Sequence, residues 1–209
     1  PRVGQPDEVD WWPEQATTKR KVVVIGTGVA GMEAAWIAGA RGHDVTVFGI
    51  SGEVGGKTRL HAELPGGENL SSIYDYQRLS AKKAGVKFEF GITASLADIT
   101  KLSPDAVILA TGSTMSWPSF LPDEYKDEGF FPDLRETMAM LLERPAPQPG
   151  TAVIYDQDHT KMTYASAEWL ADKFGRVIIV TPRDRIASDE ALVNRQGIYA
   201  CLSEKKVQL

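Results

Sequence analysis

The chain has 209 residues, 43% hydrophobic and 24% charged, enough for one large domain or two small ones. A net charge of −5 argues against a nucleic-acid binder, and no apolar run is long enough to span a bilayer, so neither nucleic acid nor a membrane is an expected partner. A single cysteine, Cys201, excludes an internal disulfide framework and suits a reducing, cytoplasmic compartment; the three histidines, His43, His61 and His159, stand at no ligand spacing, so no metal site is expected.

Residues 1–19 open at Pro1 without a methionine or a signal-peptide pattern. They are polar, with Pro, Gly and the pair Trp11-Trp12, and read as a connecting arm. Its tryptophans pack either on another surface or back onto the adjoining domain.

The stretch KVVVIGTGVAGMEAAWIAGARGHDVTVFG, Lys21 to Gly49, organises the rest. Val22 to Ile25 reads as a buried strand. MEAAWIAGAR is rich in helix formers and stops at Gly42. Asp44 to Phe48 reads as the next strand, completing a βαβ unit. Between the first strand and the helix the glycines at 26, 28 and 31 follow GxGxxG. Gly26 allows the tight turn, Gly28 lets backbone approach a pyrophosphate, and Gly31 lets helix and strand pack closely. The N–H groups and dipole of the helix start face the phosphates. GxGxxG alone is a weak signal; with both strands and the helix in place it is a strong one.

In ISGEVGGKTRLHAELPGGENL the glycines and Pro65 exclude a long regular element, and Gly55-Gly56 can bring backbone amides near a second phosphate. Asn69 to Ala84 reads as a helix with Asn69 as N-cap, Gly85 as its stop, and Leu70, Ile73, Tyr74, Gln77 and Ala81 on the apolar face. Val86 to Phe90 reads as a strand. Ala106 to Ala110 reads as a buried strand ending in Ala-Thr-Gly, small residues that let its end pass beneath a bound cofactor. Met115 to Phe131 is irregular. Asp133 with Glu136 caps a short helix, and residues 143–150 read as a linker.

The pattern then restarts: strand Thr151 to Tyr155, helix Tyr164 to Phe174, strand Arg176 to Thr181. Superposing the two units puts Asp156, Asp158 and Lys161 at the three glycine positions. Two carboxylates would repel a pyrophosphate, and side chains block the approach that glycine permits. The second unit is therefore expected to keep the architecture without binding a dinucleotide in the usual way. Ala187 to Glu204 reads as a closing helix. Cys201 is expected as a buried small hydrophobe there, and His43 as a backbone contact before the second strand. His61, in the Gly-rich segment, is a candidate cofactor contact.

Together WWPEQ, VVVIGTGVAGMEAA, EVGGKTRLHAELPG, PDAVILATGS and IYDQDHTKMTYASAEWLA resemble the C-terminal half of the trimethylamine dehydrogenase and histamine dehydrogenase branch of the NADH:flavin oxidoreductase (old yellow enzyme, dienoyl-CoA reductase) family. The resemblance runs from Trp11 through nearly the whole chain. It implies an α/β, FAD/NAD(P)-binding Rossmann-like three-layer domain at residues 20–145, with part of a second, degenerate NAD-type Rossmann-like unit at 146–209. It also implies that Gly26, Gly28 and Gly31, with Val29 and Ala30, face the pyrophosphate of FAD or ADP. Gly55, Gly56, Lys57, Thr111 and Gly112 then lie near the cofactor, and no catalytic residue falls in this chain. An N-terminal barrel carrying FMN and an iron–sulfur cluster, an electron-transferring flavoprotein as acceptor, and a homo-oligomer are implied partners. Two departures stand out. Gly49 occupies the place of the carboxylate that holds the ribose, with Glu53 the nearest substitute. The sheets also lack closing strands, and the rest of a polypeptide or another chain is expected to complete them.

Three functions fit these residues: the nucleotide-binding portion of an amine-type dehydrogenase, a portion of a nicotinamide-dependent enoate or dienoyl-CoA reductase, or an assembly module that binds no nucleotide. Asp156, Asp158 and Lys161 speak against the second, and Gly49 lends weight to the third.

Overall fold

A computed structural model describes residues 12–144, 146–157 and 159–209. In chain order the elements are β1 (Lys21–Ile25), α1 (Val29–Ala40), β2 (Asp44–Gly49), α2 (Lys57–Ala62), α3 (Ser71–Lys83), β3 (Lys87–Phe90), α4 (Leu96–Lys101), β4 (Ala106–Leu109), α5 (Asp123–Asp127), α6 (Leu134–Glu143), β5 (Gln148–Tyr155), α7 (Lys161–Ala171), β6 (Phe174–Val180) and α8 (Leu192–Glu204). They divide into two compact units, residues 1–59 with 70–113, and 60–69 with 114–209. The boundary expected at 145/146 lies inside the second unit.

In the first unit four parallel strands run in the order β3-β2-β1-β4. The core under α1 is Val22, Val24, Val45 and Val47 with Ala35, all β-branched or small, which suits strands buried beneath a helix. β1 has β2 on one side and β4 on the other, so the chain leaving Ile25 emerges at the point where strand order reverses. Open α/β sheets present their ligand crevice there. α3 buries Tyr74, Gln77, Ser80 and Ala81. Its N-cap is Leu70 rather than Asn69, because a 3-10 turn over Glu68–Leu70 runs straight into the helix. Ile73, expected on the buried face, is exposed.

The arm folds back on its own unit. Trp12 lies 5.8 Å from the Trp36 ring of α1, Lys83 Nζ sits 4.3 Å over Trp12, and Gln15 Nε2 donates to Ala40 O at 2.7 Å where α1 ends. Trp11 lies outside the described residues. His43 Nδ1 accepts the Arg20 N–H at 3.2 Å, the backbone contact expected of it.

Helix α4 is an element beyond those expected from the sequence. Its Ser95 Oγ accepts the Asp98 N–H at 3.2 Å while Asp98 Oδ2 accepts the Ser95 N–H at 2.9 Å, a reciprocal capping box. Hydrogen bonds from the Ser95 side chain and backbone hold the Asp98 carboxyl below the usual carboxylate range. A depressed folded-state pKa stabilises above the unfolded value and is lost as pH falls through the folded one. NMR titration of the Asp98 carboxyl is expected to give a midpoint below that of an ordinary aspartate, and fraying of α4 is expected to follow it.

In the second unit β5 and β6 pair in parallel, Ile154 opposite Ile179, and Ile179 N–H also bonds Gln208 O at 2.8 Å. The core gathers Leu64, Met138, Ile154, Leu170, Ile179 and Leu202. β5 starts at Gln148, inside the expected linker, and β6 at Phe174 rather than Arg176. Asp133 does cap α6, through the Arg135 N–H at 2.7 Å. Cys201 is exposed on α8, and its neighbour Leu202 takes the buried position. Among the described residues the sheets have four and two strands, with β1 as the only neighbour of β4.

Candidate functional site

The glycine loop closes on itself by backbone alone. Gly26, at φ +115°, donates its N–H to Phe48 O at 2.8 Å, and a Cβ there would strike the Ala110 carbonyl. A Cβ at Gly31 would strike the Gly26 carbonyl, so helix and strand meet at a distance only glycine allows. Gly28 differs: it is the N-cap of α1 with ordinary φ −71°, and a Cβ on it would meet nothing within 4 Å. Space stands open before it. No side chain caps α1, and the first intrahelical bond is Met32 N–H to Gly28 O, so the first-turn amides of Val29, Ala30 and Gly31 present an uncapped helix start to that space.

A second glycine pair builds the opposite wall. Gly55 N–H donates to Thr27 O at 2.8 Å, and Gly55 bridges Gly28 in parallel. Gly56, at φ +53°, passes so near that a Cβ would lie 2.9 Å from Gly28 Cα. β4 supplies the third wall. Ala110 N–H bonds Ile25 O at 2.8 Å, and Thr111 and Gly112 follow. Lys57 crosses to this wall and bonds the Ser113 carbonyl and hydroxyl. Backbone contacts bring Gly26, Gly28, Gly31, Gly55 and Gly56 together, and Lys57 reaches Ser113, which follows Thr111 and Gly112. The chemistry of that wall set is backbone N–H donors, a helix N-terminus and one ammonium, which fits a diphosphate.

Other residues fall elsewhere. Glu53 pairs with Arg59, whose guanidinium lies 5.6 Å from the Tyr74 ring centroid, in a groove behind the Gly55 loop. His61 lies in the 60–69 segment that groups with the second unit. Three supporting residues escaped sequence reasoning. Thr27 Oγ1 donates to Glu53 O at 3.2 Å, Ser113 receives Lys57, and Gln77 Nε2 donates to Val29 O at 3.0 Å and Glu33 Oε2 at 2.9 Å. Only Gln77 left a signal, a polar residue on the apolar face of α3.

The second unit carries side chains where the first has glycine. Asp156, 1% exposed, accepts the His159 N–H on Oδ1 at 3.0 Å and the Tyr164 hydroxyl on Oδ2 at 2.7 Å. Tyr164 Oη accepts the Ala187 N–H at 2.6 Å. The buried His159 ring lies 3.4 Å from both Tyr164 Oη and Thr181 Oγ1. The network ties the β5–α7 turn, α7, the end of β6 and the loop before α8. It explains why α8 begins at Leu192 and not Ala187, which sits at φ +53° on the Tyr164 hydroxyl. Lys161 Nζ bonds Gly66 O at 3.3 Å, and Asp158 lies outside the described residues. No group of three or more His, Cys, Asp or Glu able to hold a metal occurs among the described residues, and no helix among them is long and apolar enough to cross a membrane.

A glycine cradle at the switch point of a parallel sheet, followed by a second unit of the same construction, defines a dinucleotide-binding domain of the FAD/NAD(P) type. Residues 20–146, more than half of the chain, match the family of pyridine nucleotide-disulphide oxidoreductases, and the chain belongs to that family. It is 37% identical over 195 residues to a probable N-methylproline demethylase of Rhizobium meliloti (strain 1021), covering 92% of this chain and 27% of that protein. It is 35% identical over 190 residues to an N,N-dimethylglycine/sarcosine dehydrogenase of Chromohalobacter salexigens, covering 90% and 27%. Among solved structures it is similar to 2-naphthoyl-CoA reductase bound to 2-naphthoyl-CoA (TM-score 0.80, 25% identity, all of this chain and 30% of that one). It shares its fold with histamine dehydrogenase from Rhizobium sp. 4-9 (TM-score 0.76, 23% identity, 95% and 30%). These fit the branch that the sequence motifs resemble. The chain spans about a quarter of the length of the curated relatives named here (27% of each).

Proposed function

We propose that this chain is the nucleotide-binding portion of a larger flavin-dependent oxidoreductase of the amine-dehydrogenase kind, holding the diphosphate of ADP or FAD in its first cradle. The observation that carries the reading is Gly28: open space stands where its side chain would be, with an uncapped helix start behind it. The amides of Val29, Ala30, Gly31 and Gly56 would hold the phosphates, while the Gly55 N–H, bonded to Thr27 O, fixes the wall beside them. Lys57 is placed to balance their charge, and Thr111 and Gly112 would pass beneath the ligand. A bound FAD would supply an electron carrier, whereas ADP would only stabilise the fold. The chain's own residues bind and orient, and the reading assigns none of them to catalysis.

The short share of the relatives' length supports a longer parent. In this reading a preceding barrel carries FMN, an iron–sulfur cluster and the substrate site. An electron-transferring flavoprotein accepts the electrons, the parent assembles as a homo-oligomer, and the single cysteine suits a reducing compartment. The relatives also include reductases, so a nicotinamide-dependent enoate or dienoyl-CoA reductase is the competing reading; the filled second cradle weighs against it. Calorimetric titration is expected to show ADP binding and no micromolar site for NADH or NADPH. Nicotinamide binding in the second unit would favour the reductase. Acid release of a yellow ligand would point to FAD, of a colourless one to ADP. An absence of adenine-nucleotide binding would leave the non-binding assembly module.

A further inference from the structure

We infer that the first cradle recognises its nucleotide by the diphosphate and does not read the ribose 2′-hydroxyl, and that Gly49 sets this specificity; the inference rests on the diphosphate reading above. In dinucleotide units a carboxylate at the end of the second strand accepts hydrogen bonds from the ribose hydroxyls. Here that place is Gly49, and the cradle itself keeps it bare. A Cβ at Gly49 would lie 2.5 Å from Thr27 Cγ2 and 2.8 Å from Thr27 Oγ1, closer than packed atoms tolerate. Thr27 has no room to yield. It is 5% exposed, its hydroxyl is bonded to Glu53 O at 3.2 Å, and its carbonyl accepts the Gly55 N–H at 2.8 Å. Moving Thr27 would open the wall that Gly55 and Gly56 build.

Neighbouring residues do not replace the acid. Ile50 is apolar and 77% exposed. The Ser51 hydroxyl is spent on Glu53 O at 2.8 Å. The Glu53 carboxylate is held by Arg59 and lines a groove of about 610 Å³ with Tyr74, Asp75 and Arg78. Gly55 stands between that groove and the cradle: its N–H bonds Thr27 O, while a Cβ on its other side would lie 2.9 Å from both Arg59 Cγ and the Tyr74 ring. A ribose at the end of β2 therefore meets no carboxylate.

Calorimetric titration of the full chain with ADP and with 2′-deoxy-ADP tests this. The two dissociation constants are expected to agree within about threefold, because no charged acceptor is lost with the hydroxyl. A 2′-deoxy-ADP affinity lower by about tenfold or more would overturn the inference and leave the diphosphate reading standing. Binding of neither nucleotide would overturn both. The double variant T27A/G49E removes the two atoms that fill the space and installs the missing acid. It is expected to prefer ADP over 2′-deoxy-ADP by about tenfold, with T27A alone showing no preference. A double variant that binds both nucleotides equally would remove Gly49 from the role, and the wild-type pair decides the ribose question even if that variant does not fold.

Discussion

Gly28→Ser is expected to keep the fold and lose the nucleotide, while Gly31→Val is expected to lose the fold. The two positions are three residues apart in one motif, yet they face opposite ways. Gly28 has an ordinary φ and empty space where a side chain would go. Serine is also a better N-cap than glycine, so its hydroxyl should bond the first turn of α1 and add a few tenths of a kcal/mol, about 0.3. That same hydroxyl would occupy the ground of a phosphate oxygen. Losing two amide bonds to a charged oxygen weakens ADP roughly 100-fold. At Gly31 the added side chain would drive into the Gly26 carbonyl and the Ala110 side chain. Backbone cannot move aside as a flexible side chain can, so the cost is about 3 kcal/mol or more. Hydrogen exchange resolved to β1, α1 and β2, together with ADP calorimetry on both variants, separates the effects. Equal loss of stability, or equal retention of binding, would contradict the assignment.

Asp156→Ala is expected to destabilise the second unit by about 3 kcal/mol, and Tyr164→Phe by a similar amount. Removing the carboxylate strands the buried His159 N–H and takes the short acceptor from the Tyr164 hydroxyl, losses of about 1–3 kcal/mol each. Removing the hydroxyl strands the Ala187 N–H and takes a donor from a buried acid. Neither change is expected to create a nicotinamide site, because the remaining side chains of the network still fill the turn. The chain has two units, so one unfolding midpoint is not a safe readout. Hydrogen exchange resolved to β5, β6 and α7 is the suitable measurement. A loss of protection confined to residues 21–109 would contradict the prediction.

The first unit was legible because its determinants are local. A glycine spacing, a β-branched run before it and another after the helix specify β1, α1 and β2 within 29 residues, Lys21 to Gly49. The glycine-to-acid change at 156 was also visible, and it predicted a cradle without the usual approach to phosphate. What Asp156 does instead was not visible. Its partners His159 and Tyr164, with the Ala187 N–H that Tyr164 in turn accepts, are set by packing across several segments, and no spacing rule announces them. Thr27 is similar: its side chain bonds Glu53 O and packs against Gly49, neighbours set by the fold and not by any spacing. Cys201 and Leu202 show the limit of periodicity, since helix phase decides which of two neighbours is buried, and α8 starts later than its composition suggests. The α4 capping box, by contrast, stands openly in Ser95 to Asp98, but the helix it starts has only six residues, too few to show a hydrophobic period.

The proposed function requires the first cradle, where Gly28 meets Gly55 and Gly56, to take a diphosphate, and the turn after β5, where Asp156 bonds Tyr164, to take no dinucleotide. A nitrogen-15 NMR titration with ADP and then NADH tests both halves at once. ADP is expected to shift the amides of Val29, Ala30, Gly31, Gly55 and Gly56 to saturation, leaving those of Asp156, His159 and Tyr164 unmoved, and NADH is expected to leave these three unmoved as well. First-cradle amides that stay still under saturating ADP, or shifts at Asp156 to Tyr164 on adding NADH, would contradict it.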